Sequence, residues 1–221
     1  MNYGNDFKKF AISDRGISGL NLDYYQKHIE SVTPYILEER EMRATQMDIF
    51  SRLMRDRLLW VAGPVNDHMS TIVQAQLMFL DSTDKADITM HIDSPGGSVK
   101  SGLSIVDVMD YISSDIRTIN TGMAASMGSV LLGAGTKGKR GSLRFSQTML
   151  HQSSGGFRGN IQDAKIDMIE WEKLNNILFD LLGTYCGKTG DQVKQDATRD
   201  LWLDSQDALS YGIIDEIVKK E

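Results

Sequence analysis

The feature that most restricts the fold is a rhythm of short alternating runs, each followed by residues at helical spacing. In ADITMHID (86–93), Ile88, Met90 and Ile92 alternate with Thr89, His91 and Asp93, which predicts a strand running straight into Ser94-Pro95-Gly96-Gly97. Helical spacing resumes over Ser101–Ile112 with Leu103, Val106 and Met109, then IRTINT (116–121) predicts another strand leading to the small-residue segment GMAASMGSVLLGAG (122–135). The rhythm starts earlier. Asp48 can cap a short helix carrying Ile49, Leu53 and Met54, Leu58–Val61 form a brief apolar strand ended by Gly63-Pro64, and Asp67–Leu80 place Ile72, Val73, Leu77 and Leu80 on one helical face. Strands joined through helices are parallel, because a tight turn can only return a chain antiparallel. Parallel strands bury both faces and leave functional groups at their carboxyl ends, so the expectation is a mainly parallel α/β core.

Beyond LRFSQTMLHQ and the glycine-rich SSGGFRGN, Ile161, Ile169, Leu174, Ile177, Leu178, Leu181 and Leu182 mark a helix of roughly 20 residues. That exceeds the ~11–12 residues usual in globular proteins, and its amphipathic composition suits packing on a neighbouring subunit. The tail LWLDSQDALSYGIIDEIV predicts a short capped helix and a last strand. Residues 1–31 are polar and weakly patterned and are expected to form a leader outside the core; 221 residues then leave room for one domain over 32–221.

Composition removes several function classes. Hydrophobic residues make up 41% and charged residues 24%, an ordinary globular balance, and the net charge of −6 offers no footprint for nucleic acid. The longest charge-free stretch, 118–136, holds four glycines and predicts no membrane span. Asp6, Lys8 and Lys9 interrupt the N-terminal region where a secretion signal needs an apolar run, and the lone Cys186 forms no intrachain disulfide; a reducing cytoplasm is expected. His28, His68, His91 and His151 are dispersed and give no metal-ligand spacing, so no metal is expected.

Polar residues at predicted strand ends carry the candidate chemistry. In SPGG, Pro95 fixes one φ and the paired glycines permit a tight turn with free backbone N–H groups, although such turns also serve as plain connections. Ser126, in GMAASMG, lies in a relaxed nucleophile-elbow pattern with Ala124 at the first glycine position, and the Met127 N–H can help bind an oxyanion; a helix N-cap fits the same residue. His151 closes an apolar strand and is the best general-base candidate among the four histidines. Asp200 can orient an imidazole, with Asp196 a local rival and Arg199 offering it a surface ion pair instead. Gly133–Arg140 nearly spells a phosphate loop but has Arg140 where a hydroxyl must meet magnesium, so no nucleotide is expected.

SPGG, GMAASMGS, GAGTKGKR, MLHQ with its following glycines, and TRDLWLD, in that order and spacing, resemble the proteolytic subunits of the caseinolytic (Clp) protease family across about residues 32–221. The resemblance implies a crotonase-like α/β fold of repeated β-β-α units with a protruding helix-strand handle at 156–185. It implies a serine endopeptidase with Ser126 as nucleophile, His151 as base, Asp200 rather than Asp196 as acid, and Gly97 and Met127 as oxyanion donors. No cofactor is implied for this chain. The implied partners are thirteen further copies in two stacked seven-membered rings, an AAA+ Clp-type unfoldase that uses ATP, and unfolded polypeptides. Residues 1–31 would be a propeptide or an axial gate. Thr89 and His91 depart from the family by standing where aromatic residues commonly help form the outer pocket for the ATPase's docking loops. Two other readings remain: an acyl-CoA enzyme of enoyl-CoA hydratase type, which gives no reason for Ser126, His151 and Asp200 together, and a catalytically silent ring subunit.

Overall fold

Apolar alternation in three consecutive strands builds the centre of the molecule. Leu59 and Val61 in β3 (Leu58–Ala62) and Ile88, Met90 and Ile92 in β4 (Ile88–Ser94) are buried, and β5 (Ile116–Ala125) pairs parallel to β4 as β4 does to β3. In this computed structural model the described residues are 9–14, 18–19, 35–40, 43–154 and 160–219. An antiparallel pair, β1 (Tyr35–Arg40) and β2 (Arg43–Asp48), precedes α1 (Ile49–Arg55). The main sheet then runs β3-β4-β5-β6-β9, with β6 at Arg140–Ser142 and β9 at Glu216–Ile217, all parallel. β7 (Gln147–Leu150) pairs parallel to the end of β5, and β8 (Leu201–Leu203) pairs antiparallel to β7.

Helices cover the buried side. α2 (Asp67–Thr83) contributes Ile72, Val73, Leu77 and Leu80, and α3 (Val99–Tyr111) contributes Ile105, Val106 and Met109. α4 (Met127–Gly133) is buried at every residue, packed against β5, α3 and α5 (Ile161–Cys186). α6 (Gly190–Asp196) and α7 (Ser205–Tyr211) complete the order. Side-chain caps start the helices: Asp48, Asn66, Ser98, Asn160, Thr189 and Asp204 each accept from a first-turn N–H, worth ~1 kcal/mol apiece.

The parallel α/β core matches expectation; three boundaries differ. α2 is capped by Asn66 and runs to Thr83, beyond Leu80, because the DSTDK polar residues still fit its last turn. β5 continues through Gly122-Met123-Ala124-Ala125 instead of stopping at Thr121, since β7 supplies a second partner for those residues. α5 has 26 residues, and its apolar residues divide: Phe179 and Leu182 are buried, whereas Ile161, Ile166, Met168 and Ile169 are exposed. The strand expected within the handle would fall on 155–159, outside the described residues, as does most of the expected leader. Of the leader's described part, Ala11 is buried and the Phe10 ring lies 5.5 Å from that of Phe79.

The end of β5 is a fork, pairing β6 through Thr118–Asn120 and β7 through Met123–Ala125. Buried Asn120 fills the gap. Its Nδ2 donates to the Gln147 carbonyl (2.9 Å) and to Thr148 Oγ1 (3.2 Å), its Oδ1 accepts from the Gly122 N–H (3.2 Å), and its carbonyl accepts from Leu143 N–H (2.9 Å). Satisfying these groups in a dry interior lets the strand change neighbours without an unpaired polar atom. The change brings the carboxyl end of β5 beside β7.

Candidate active site

Ser126 is the first residue after β5. Its N–H donates to the Met149 carbonyl of β7 (2.9 Å), and its backbone takes φ 54°, ψ −122°, a conformation a non-glycine residue holds only at a cost of ~1–3 kcal/mol. Its carbonyl accepts from Ser129 N–H (3.0 Å) and Ser129 Oγ (2.6 Å), which anchor the turn. Ser126 stands at the N-cap position of α4, but its side chain makes no capping bond, and the residue lines a cleft of about 320 Å³. Met127 opens α4, where the first N–H groups have no partner within the helix.

The SPGG turn faces this elbow. Val65 N–H donates to the Gly96 carbonyl (2.8 Å) and Ser98 N–H donates to the Val65 carbonyl (2.8 Å), forming a parallel bridge between Val65 and Gly97. In such a bridge the central residue's own N–H points away from the partner, so the Gly97 N–H is directed away from Val65, and Gly97 lines the cleft. Gly96 has φ 89°, and a Cβ there would stand 2.6 Å from the Ser126 Cβ. Gly96→Ala is therefore expected to lower kcat/KM for a fluorogenic peptide at least about tenfold by displacing the serine, with the circular dichroism spectrum retained. An unchanged kcat/KM would show that the turn has room to spare.

Strand register brings together the other two side chains. Leu150 pairs with Leu201 at the end of the antiparallel β7–β8 ladder, so the next residues out, His151 and Asp200, stand opposite each other. His151 Nδ1 lies 3.5 Å from Asp200 Oδ1; the imidazole is 23% exposed and the carboxylate 61%. This is an ion-pair distance, longer than a tight charge-assisted hydrogen bond. Asp196 is engaged elsewhere: it accepts from Tyr211 Oη (2.9 Å), and Lys188 Nζ lies 4.0 Å away. Burial, reinforced by that bond, pushes the Tyr211 phenol well above its ordinary value. His151, Ser126, Met127 and Gly97 share the cleft, whose apolar end includes Leu178 and Phe179.

Sequence reasoning missed the polar groups behind this frame. Ser94 Oγ donates to the Gly63 carbonyl (2.7 Å) and accepts from the Gly96 N–H (3.1 Å), bracing the glycine turn. Ser153 bonds Asn175 and Trp171 of α5. No local spacing signals that link, because 18 to 22 residues separate the partners. In the segment that nearly spells a phosphate loop, Lys139 Nζ lies between Asp87 (2.6 Å) and Asp115 (2.9 Å), while buried Arg140 forks onto Asp215. Thr89 and His91 occupy the other face of β4 from its buried residues; there the His91 ring stacks on Trp60 at 4.9 Å, and burial together with Arg117 holds its imidazole below the ordinary value.

A mainly parallel sheet with helices packed on it, carrying a serine on a positive-φ turn between strand and helix, makes this an α/β protein consistent with the crotonase-like fold. The model of the Clp protease family matches residues 39–221. The chain is similar to the ATP-dependent Clp protease proteolytic subunit of Bacteroides fragilis (strain YCH46), 45% identical over 219 residues covering 98% of this chain and 100% of that one. It is 44% identical over 218 residues to the same-named protein of Porphyromonas gingivalis, covering 98% of each. A second Bacteroides fragilis protein of that name is 48% identical over 191 residues, 86% of this chain and 92% of its own. The chain belongs to the Clp protease family, and its enzyme class is serine peptidase.

Proposed function

We propose that this chain is the serine endopeptidase subunit of a self-compartmentalised, ATP-dependent Clp protease that cuts unfolded polypeptides into short peptides. The observation that carries the reading is the shared cleft: Ser126 on its strained turn, Gly97, Met127 and His151 all line it, with Asp200 3.5 Å from the imidazole. Ser126 Oγ attacks the scissile carbonyl carbon while His151 takes its proton, and the Gly97 and Met127 N–H groups bind the resulting oxyanion. Collapse breaks the C–N bond as His151 protonates the leaving amine. Water, deprotonated by His151, then releases the acyl group from Ser126. Asp200 orients the ring and stabilises its charged form; catalytic hydrogen bonds often tighten only once substrate is bound.

The partners follow from the family. An AAA+ Clp-type unfoldase supplies the ATP-driven work, and this chain uses no cofactor. Its exposed docking surface includes the Trp60–His91 pair, which provides aromatic area in place of the residues missing at Thr89 and His91. The first turns of α5, exposing Ile161, Ile166, Met168 and Ile169, suit packing between two stacked heptameric rings. Among the described residues no helix is long and apolar enough to cross a membrane; a cytoplasmic site of action is part of the family reading.

The test is hydrolysis of a small fluorogenic peptide by the purified full chain, with assembly followed by light scattering. Hydrolysis blocked by a serine-reactive inhibitor is the expected result. A fully assembled but inactive particle would establish a silent ring subunit instead, and hydration of an enoyl-CoA without peptide cleavage would establish the acyl-CoA alternative.

A further inference from the structure

The β7–β8 ladder ends at Leu150, and residues 151–154 have no regular secondary structure, so the sheet does not hold His151 on its C-terminal side. The next anchor is Ser153. Its N–H donates to Asn175 Oδ1 (3.0 Å), its hydroxyl donates to the same oxygen (2.9 Å), and Trp171 Nε1–H donates to Ser153 Oγ (2.8 Å). The directions are forced by chemistry. An indole N–H and a backbone N–H can only donate, so Ser153 Oγ accepts from Trp171, its proton is left for Asn175, and the Asn175 atom facing the backbone is its carbonyl oxygen. Trp171 and Asn175 are four residues apart on one face of α5, and Leu178 and Phe179, one turn further on, line the cleft.

We propose that Ser153, Asn175 and Trp171 form a clamp that sets the position of His151, making them positioning residues for peptide hydrolysis. The proposal rests on the reading of Ser126 as nucleophile and His151 as base. Only Gln152 stands between His151 and Ser153, whose amide is clamped. Opening the clamp frees the backbone torsions between them, and a displacement of ~1 Å at a proton-transfer group can cost up to about a hundredfold in rate. The same helix carries the apolar wall of the cleft, so the clamp holds base and wall in one frame.

The test uses the purified full chain and a fluorogenic peptide. Ser153→Ala and Asn175→Ala are each expected to lower kcat about tenfold with KM within about twofold, and to slow fluorophosphonate labelling of Ser126 by a similar factor. The double variant should be no slower than either single one, because one breach opens the whole clamp. Asn175→Asp keeps both acceptor positions and Ser153→Thr keeps the hydroxyl, so both should retain kcat within about threefold. Wild-type activity with an inactive Ser126→Ala establishes the underlying reading in the same assay, and an inactive wild type sinks that reading. Given an active wild type, an unchanged kcat in Ser153→Ala, additive losses in the double variant, or a loss in Asn175→Asp equal to that in Asn175→Ala would overturn the clamp.

Discussion

Ser126→Ala is expected to lower kcat for peptide hydrolysis by a factor on the order of 10⁴ or more and to abolish covalent labelling by a fluorophosphonate. The substitution isolates chemistry from folding. Alanine carries the same φ 54° strain as serine, and the bonds that build the turn use the backbone of Ser126 rather than its hydroxyl. On the proposed mechanism, what remains is substrate binding plus the Gly97 and Met127 N–H groups, which would stabilise an oxyanion formed by water attack. His151→Ala should cost a similar factor, and adding it to Ser126→Ala should cost little more, since nucleophile and base act as a unit. Asp200→Asn should cost less than either, because a 61% exposed carboxylate shares its task with solvent. Asp196→Asn should leave hydrolysis within about twofold, its carboxylate being tied to Tyr211. Steady-state kinetics and labelling of the four single variants and the double one check the set. Labelling that persists in Ser126→Ala would remove the assignment of the nucleophile.

The parts of this site that were legible in the sequence are those set by local chemistry. Alternation at Ile88, Met90 and Ile92 predicts β4, and SPGG and GMAASMG announce turns at strand ends, because glycine, proline and small residues declare their backbone needs within a few positions. The choice between Asp196 and Asp200 was legible only through family resemblance. Physically it depends on the Leu150–Leu201 register, which pairs segments about fifty residues apart and leaves no local trace. The fork of β5 was hidden for a related reason: GMAA reads as a loop of small residues until β7 arrives as a partner. Ile169 shows the opposite limit: its helical spacing matches that of buried Leu182, yet it is 58% exposed, because periodicity cannot say what lies beside a helix.

Arg140 yields the largest expected stability effect. It is 3% exposed and uses four of its five guanidinium N–H donors: Nε and one terminal nitrogen to the two oxygens of Asp215 (2.8 and 2.6 Å), the same terminal nitrogen to the Gly212 carbonyl (3.1 Å), and the other to the Tyr185 carbonyl (2.9 Å). These bonds join β6 to the end of α5 and to the turn after α7, three segments distant in sequence. Arg140→Met should cost about 3–5 kcal/mol, since it takes the guanidinium from the largely buried Asp215 carboxylate, which keeps only backbone N–H donors, and leaves two carbonyls without theirs. For a chain of this size that lowers Tm by roughly 6–20 °C, while kcat measured well below the transition should persist. Arg140→Lys should recover only part, because a point charge cannot satisfy the fork. Replacing both partners, as Arg140→Met with Asp215→Leu, should cost less than Arg140→Met alone; an equal or greater cost would show that the pair adds net stability rather than mutual satisfaction. The pH dependence has a defined sign. Burial alone would raise the Asp215 carboxyl, but its bonds to Arg140 and the Gly138 N–H outweigh burial and hold it below its ordinary value of 3.8. A depressed carboxyl stabilises the fold above its unfolded pKa and loses that contribution as pH falls through the folded one. Wild-type stability should thus drop below about pH 4, and the Asp215→Leu double variant should show a shallower fall there in denaturant melts.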